Sequence, residues 1–506
     1  MKTRRIAIIG GGTAGWLAAN HLGYELCADT EVVITVIESA DVPIIGVGEG
    51  TVPALKTSLR KFGISEADLL VACDTTFKNG IKFQGWLDAA KHGKDHFYYH
   101  PFASPFPDGL DITPTWLEQP LRNFADVSIS ARVAEAGRSP KQISSPPYVG
   151  EVEYAYHVNA HKFAALLAEN ARKRFRVQYL VATVVDAERG EDGAITALRM
   201  ASGEVVPFDF YIDCSGFSSL LAHQVLNVPF VDKSHQLLAD TALVQQVPTN
   251  PADEIPPYTL ALAHEAGWIW DIPVTHRRGT GFVYASAHMS ESRALECYAR
   301  YLGVNPDSLS PRKIPMRIGY RQQFWFQNCV SLGLAQGFVE PLEATSILVT
   351  DFSANLLSRN FPRFGEDAQA LRRGYNEAVT TTWERVIDFV QLHYHLSDRS
   401  DSSFWLENRR SDHLSETLRE RLARWAVRHP QKNDFTSRFD LFDVDNHLYV
   451  LYGMRFATRP MPISDFERRE CLEQFEHVTR AAEQAIRNLP SHRDWLTGLR
   501  AAYQRP

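Results

Sequence analysis

Gly10-x-Gly12-x-x-Gly15 follows an apolar run from Arg5 to Ile9 and precedes a helical pattern from Trp16 to Leu26. A second run, Glu31 to Glu38, is rich in β-branched residues (Val32, Val33, Ile34, Thr35, Val36, Ile37) and reads as a strand. Strand, glycine turn, helix and strand make a βαβ unit, which commits the N-terminus to a parallel sheet. Gly10 allows the tight turn, Gly12 lets backbone approach a pyrophosphate, and Gly15 lets helix pack closely on strand. Thr13 and Ala14 lie in this turn beside the pyrophosphate, and the start of the helix that follows offers N–H groups that suit phosphate oxygens. Glu38 stands 23 residues beyond Gly15, where an acid can bind a ribose hydroxyl. The motif alone does not separate NAD from FAD. Two later stretches favour FAD: Asp213-Cys214-Ser215-Gly216, and Gly333 to Glu343, which resembles the loop and helix start that meet the far end of an extended FAD.

Composition sets the outer bounds. The 506 residues are 44% apolar and 22% charged, enough for a deep core and more than one domain. The net charge of −7 gives no basic patch for nucleic acid or an anionic membrane. The six cysteines are far apart and form no C-x-x-C pair, so they read as free thiols in a reducing compartment. Met1 to Arg5 ahead of an apolar run could mimic a signal peptide, but the run is broken by glycines and leads into polar helix. No apolar stretch reaches spanning length, and the expected location is the cytoplasm.

Residues 43–53 form a Gly- and Pro-punctuated loop, and residues 92–150 an irregular excursion rich in aromatics, His and Pro. His161 to Arg174 is helical, residues 177–213 read as a β-meander turning at Gly190 and Gly193, and residues 240–330 alternate strands with turns. From Thr345 the pattern is helical, with a long amphipathic stretch from Ala368 to Leu396 and further helices at 413–428 and 464–488.

The sequence Trp268-Ile269-Trp270-Asp271-Ile272-Pro273 is the most specific signal after the glycine turn. Two tryptophans two apart on a strand face the same way; they serve as core or as a barrier. Together with Gly48-Glu49-Gly50-Thr51-Val52-Pro53, Phe77-Lys78-Asn79-Gly80-Ile81-Lys82-Phe83 and Phe338 to Ser346, the chain resembles the flavin-dependent halogenases of the tryptophan halogenase type, to about residue 410. The resemblance implies an α/β fold: an FAD-binding Rossmann-type, flavin monooxygenase-like core interwoven with a mainly helical C-terminal substrate region. Residues 1–360 would form the core, with a substrate-facing insertion near 92–150, and residues 361–506 a helical cap.

It also implies roles. Lys78 is similar to the catalytic lysine and Glu343 to the catalytic carboxylate. Thr345 and Ser346 would offer backbone N–H groups to a halide. Gly46 to Pro53, with Val47 and Gly48, resembles the strap joining flavin and substrate sites. Val184, Leu334 and Ile347 fall where the family touches FAD, and His100 and Phe102 where it lines the aromatic-substrate pocket. Trp268 and Trp270 would keep the substrate off the flavin, so that an oxidant is made in one place and used in another.

The chemistry fits these residue types. A nest of N–H groups at a helix start can hold and desolvate a halide. Hypohalous acid made from reduced FAD, oxygen and chloride or bromide is small enough for a tunnel that excludes an arene. A lysine can hydrogen-bond it or become a haloamine, and a carboxylate can accept the proton lost from the ring. Each residue also has a bland reading: Lys78 as a solvated charge, Glu343 as a helix-start acid, His100 and Phe102 as core. His157, His161, His393 and His395 match no standard ligand spacing, so no metal is expected. Residues 441–462 contain Tyr449, Tyr452 and Arg455 without the clasp that holds free tryptophan, so a smaller indole, another electron-rich arene or a larger tethered substrate fits equally.

With no second nucleotide fingerprint, reduced FAD is expected from a separate flavin reductase. The other expected partners are an aromatic small molecule and, in a homodimer, a second copy of the chain. Two further readings compete: a flavin aromatic hydroxylase, against which Trp268, Trp270 and Lys78 argue, and a non-catalytic flavin-binding relative, against which intact Lys78 and Glu343 argue.

Overall fold

In the computed structural model, which describes residues 4–42, 46, 48–120, 123–362 and 368–503, the strand Arg5–Ile9 runs parallel to Val33–Glu38 on one side and Phe210–Asp213 on the other. Its side chains are split between two cores: Ile6 and Ile8 enter the main one, Ala7 and Ile9 a smaller one on the opposite face. Burial on both faces explains why the strand is apolar throughout rather than alternating. Cys329–Ser331 and Gln178–Val181 extend the sheet in parallel, and Trp325–Phe326 closes one edge antiparallel.

The helix Thr13–Leu26 begins three residues earlier than the sequence pattern suggests, because Gly12 is its cap. It packs on a second helix, Thr345–Arg359, and a buried link joins them: His21 Nε2 lies 2.8 Å from Asp351 Oδ1, while Ser58 Oγ donates to Asp351 Oδ2 at 2.7 Å. The helix that opens at Thr345 is thereby anchored to the one behind the glycine turn.

A seven-stranded sheet forms the second layer, in the order Arg312–Pro315, Thr241–Pro248, Arg277–Tyr284, Gly267–Val274, Thr259–His264, Gly80–Gln84, Phe97–Pro101. Gly267–Val274 is buried along its whole length. Its indoles have small cross-strand neighbours: Trp270 lies between Ala261 and Gly281, and Trp268 between Ala263 and Val283. A three-stranded sheet, Glu49–Gly50, Ala155–Val158 and Thr76–Lys78, bridges the two layers.

The structure corrects two expectations. Residues 177–213 are not one meander: Gln178–Val181 and Phe210–Asp213 belong to the parallel sheet, and only Val184–Arg189, Ile195–Met200 and Val205–Pro207 form an antiparallel sheet. Period-two alternation does not distinguish which sheet a strand joins. The 92–150 stretch is not wholly irregular, because Phe97–Pro101 pairs antiparallel with Gly80–Gln84.

From residue 368 the described elements are helical. Ala368–Leu396 and Asp465–Asn488 lie where periodicity places them, and Glu416–Val427 falls within the expected 413–428. Val444–Gly453 and His492–Tyr503 are additional. The last of these returns to the site, where His492 Nε2 accepts the Phe77 N–H at 3.0 Å and its Nδ1–H donates to Ile255 O at 2.9 Å. Among the described residues no helix is long and apolar enough to cross a membrane.

Candidate active site

The glycine turn opens into a long cleft lined by Gly10, Gly12, Thr13, Ala14, Glu38, Val184, Cys214, Ser215, Leu334 and Ile347. Each glycine has a distinct reason. Gly10 has φ +114°, and a Cβ there would fall 2.2 Å from Cys214 O. A Cβ on Gly15 would fall 1.9 Å from Gly10 O, so helix and turn touch only because none is present. A Cβ on Gly12 would meet nothing within 4 Å, which leaves that backbone open for a ligand to approach. The helix behind it has no side-chain cap, leaving first-turn N–H groups for an anion. Glu38 stands beside the turn, where a Cβ on Gly11 would fall 2.2 Å from its Cδ, and its Oε2 accepts from Tyr179 Oη at 2.8 Å. An open anion-binding turn, a ribose-ready acid and a long apolar wall fit an extended FAD.

A second, smaller cavity lies beside the first. The two share Glu49, Phe217, Leu334 and Ser346, so they meet along one wall. Gly48, Trp270, Thr259, Leu342, Ala344 and Lys78 line the rest. Glu49 was missed by sequence reasoning; burial raises its pKa to about 7.

Lys78 ends the strand Thr76–Lys78 and is fully buried. Its Nζ donates to Thr51 O at 3.1 Å and stands 5.1 Å from the Phe102 ring centroid. Burial lowers its pKa to about 8, against the opposing charge of Glu343. This is not a solvated surface charge.

Pro341 to Ala344 forms a tight turn, with Ala344 N bonded to Pro341 O at 3.2 Å and Ala344 at φ +55°. The helix Thr345–Arg359 starts at once, with no side-chain cap, so the Thr345 and Ser346 N–H groups have no intrahelical partner. Ser346 lines both cavities, while the Thr345 side chain is buried.

Glu343 lines neither cavity and sits in a buried polar cluster. His100 Nδ1 contacts both of its oxygens, at 2.8 and 2.9 Å, and His393 Nε2 stands 3.0 Å from Oε1. Burial opposes ionisation here, but the two imidazoles outweigh it and hold the pKa at about 2. The sequence offers His393 only as a remote metal ligand; nothing in its spacing reveals the contact across fifty residues. Among the described residues no group of three or more His, Cys, Asp or Glu could hold a metal ion.

Behind the wall, Glu340 Oε2 accepts from Trp268 Nε1 at 2.7 Å and from Tyr394 Oη at 2.5 Å. Trp270 lines the cavity and Trp268 is core, their ring centroids 6.2 Å apart. His100 is buried and Phe102 half-buried. Tyr449 and Tyr452 spend their hydroxyls internally, on Ser128 and Thr458. Val47 lies outside the described residues.

The sequence model of a family described as tryptophan halogenase matches residues 5–466. A tryptophan 6-halogenase from Streptomyces toxytricini is 31% identical over 529 aligned positions, covering 99% of each chain. The crystal structure of a tryptophan halogenase from Shewanella frigidimarina superposes with TM-score 0.95 at 34% identity, covering 100% of this chain and 99% of that one. A flavin-dependent halogenase from Brevundimonas sp. superposes with TM-score 0.87 at 31% identity, covering 98% and 99%.

Proposed function

The chain belongs to the tryptophan halogenase family, and from that premise we propose how its own residues divide the work of an FADH2-dependent halogenase acting on an electron-rich arene such as indole or a tryptophan derivative. When bound, reduced FAD would activate oxygen, the two-electron oxidant that converts halide to hypohalous acid. Gly10, Gly12, Thr13, Ala14 and Gly15 hold the pyrophosphate, Glu38 the ribose, and Val184, Leu334 and Ile347 the rest of the cofactor. The uncapped N–H groups of Thr345 and Ser346 hold and desolvate the halide.

The observation that carries this reading is the pair of cavities meeting at Glu49, Phe217, Leu334 and Ser346, with Lys78 in the second one only. A small oxidant formed in the first can reach Lys78. Trp270 walls the route, with Trp268 supporting it. The Lys78 ammonium, already a donor to Thr51 O, hydrogen-bonds the oxidant and polarises its halogen. The arene docks beside Phe102 and His100, and Glu343 accepts the ring proton.

Reduced FAD, oxygen, bromide or chloride and a panel of indoles, read by mass spectrometry, test the whole reading: halogenated product is expected. Hydroxylated product without halogenation would favour the aromatic hydroxylase instead. We propose that a separate flavin reductase supplies the reduced cofactor; efficient NADH oxidation by the purified chain alone would refute this. A cytoplasmic location and a homodimer complete the proposal. Fractionation of the source cells and light scattering test them.

A further inference from the structure

Two histidines from two elements meet at Glu343, and their outward-facing partners are not equivalent. His100, on Phe97–Pro101, presents Nδ1 to Glu343 and Nε2 to the Asn446 Nδ2 amide at 3.1 Å. That amide cannot be reversed, because Asn446 Oδ1 accepts the Asp443 N–H at 2.9 Å in the capping box of Val444–Gly453. An amide nitrogen can only donate, so His100 Nε2 must accept and its proton sits on Nδ1. His100 is a fixed donor to Glu343.

His393, on Ala368–Leu396, differs. Its Nδ1 faces the Tyr98 hydroxyl at 2.5 Å, and a hydroxyl can give or accept. Either ring nitrogen of His393 can therefore carry the proton. Glu343 is 1% exposed and His393 0%, so bulk water does not reach the pair to collect a proton directly.

We propose that His393, not His100, receives the proton that Glu343 takes from the halogenated ring, with Tyr98 accepting the His393 Nδ1–H bond as the charge arrives. This rests on the reading of Glu343 as the base. The ring C–H bond breaks, its electron pair restores aromaticity, and the proton goes to Glu343 Oε1. It moves on to His393 Nε2, leaving an imidazolium beside a carboxylate, and is released to water as product departs. No electron changes hands. The other groups facing the pair are consistent with this. The Lys78 charge interacts favourably with the ionised Glu343. Burial keeps His447 neutral, its pKa lowered to about 3, and Phe83, Trp86 and Phe389 pack around the His393 ring. Tyr98 is stacked on Phe83, centroids 4.6 Å apart, which fixes its hydroxyl at His393.

His393→Gln keeps an N–H that can donate to Glu343 but cannot carry a proton onward. Tyr98→Phe keeps the stacked ring and removes the hydroxyl. In steady-state halogenation, His393→Gln is expected to lower kcat about 100-fold with KM little changed. Turnover in D2O is expected to show a solvent isotope effect in that variant, because onward transfer of the proton from Glu343 becomes limiting. Tyr98→Phe is expected to show the same isotope effect with a smaller loss, and decides the matter if His393→Gln does not fold. His100→Gln is expected to show none. Histidine ¹⁵N NMR of the protein without substrate should find one ring locked with its proton on Nδ1 and lost in His100→Gln, and a second, lost in His393→Gln, exchanging between tautomers. Wild-type kcat and no isotope effect in His393→Gln, with Glu343→Gln inactive, would overturn the role of His393 and leave Glu343 as the base. Wild-type kcat in Glu343→Gln would overturn both.

Discussion

The Lys78 ammonium stands 5.1 Å from the centroid of the Phe102 ring, one residue after the strand that carries His100. The lysine comes from the three-stranded sheet and the phenylalanine from just beyond the edge of the seven-stranded one, so the cation is presented where the two layers meet. An aromatic face stabilises a cation partly stripped of water. It also gives a planar surface against which an arene can lie.

Lys78→Met is expected to abolish halogenated product and to raise stability. The folded chain releases the Lys78 proton near pH 8, the unfolded chain near the ordinary 10.5. Between those values the unfolded state binds more protons, so stability rises with pH across that window. Below it the buried charge costs about 3 kcal/mol, offset by about 1 kcal/mol for the bond to Thr51 O, leaving a gain of about 2 kcal/mol for the variant at neutral pH. Thermal melts with product assays check both halves. A destabilised variant would mean that the ammonium is well compensated where it sits.

The same titration separates two fates of the oxidant. If the ammonium hydrogen-bonds hypohalous acid, turnover falls as pH rises through about 8. If a neutral amine must form a haloamine, turnover rises through the same value. The donor bond to Thr51 O leads us to expect the fall, read from kcat against pH at saturating substrate.

Glu343 gives a slope of the same sign in the acid range, here because its ionised form is the one the fold favours. Its folded pKa, about 2, lies below the ordinary 4.5, so its contribution to stability is complete above that value and is lost as pH falls towards 2. Glu343→Ala leaves two buried imidazoles without their acceptor and is expected to cost about 3–5 kcal/mol. Its denaturation curve should lose part of the acid-side decline below about pH 4.5 seen in the wild type. An unchanged decline would place that acid sensitivity elsewhere.

The βαβ opening and the long helix Ala368–Leu396 were legible because periodicity and glycine placement are local signals. Lys78 stood out because Phe77, Ile81 and Phe83 surround it with apolar sequence. The cluster at Glu343 did not: His100 and His393 reach it from two elements and Asn446 backs His100 from a third, and pairing between distant residues has no sequence period. Glu49 was hidden for another reason. It sits in the Gly-rich strap, where a loop reading accounts for every residue, and only the convergence of two cavities singles it out. Trp268 and Trp270 share a strand as expected, yet only their surroundings distinguish the cavity wall from the core residue behind it.

Glu340 connects that core residue to Tyr394, and its titration should be visible. Burial raises its pKa to about 7, with the Tyr394 and Trp268 donors opposing. The folded state then holds the proton longer than the unfolded one, so stability falls as pH rises from 4.5 to about 7, by up to about 3 kcal/mol. Glu340→Gln cannot ionise. The difference between its melting curve and that of the wild type is expected to widen across this window and then level off. A difference that does not vary with pH would show that Glu340 is ionised throughout.

Trp270 lies across the backbone of Gly281, where an added Cβ would fall 2.1 Å from Cζ2 and 2.2 Å from Cη2 of the indole. Gly281→Ala therefore cannot be accommodated with the ring in place, and the indole must shift. Such overpacking costs about 1–3 kcal/mol. The more telling change is in coupling. A displaced wall lets oxidant escape, so fewer halogenated molecules form per reduced FAD consumed, and a small-molecule hypohalous acid trap in the medium collects the difference. Trp270→Phe, which is smaller and leaves room beside Gly281, should lose coupling without the stability cost. If both variants keep wild-type coupling, the indole at position 270 is packing and the two cavities are separated by something else.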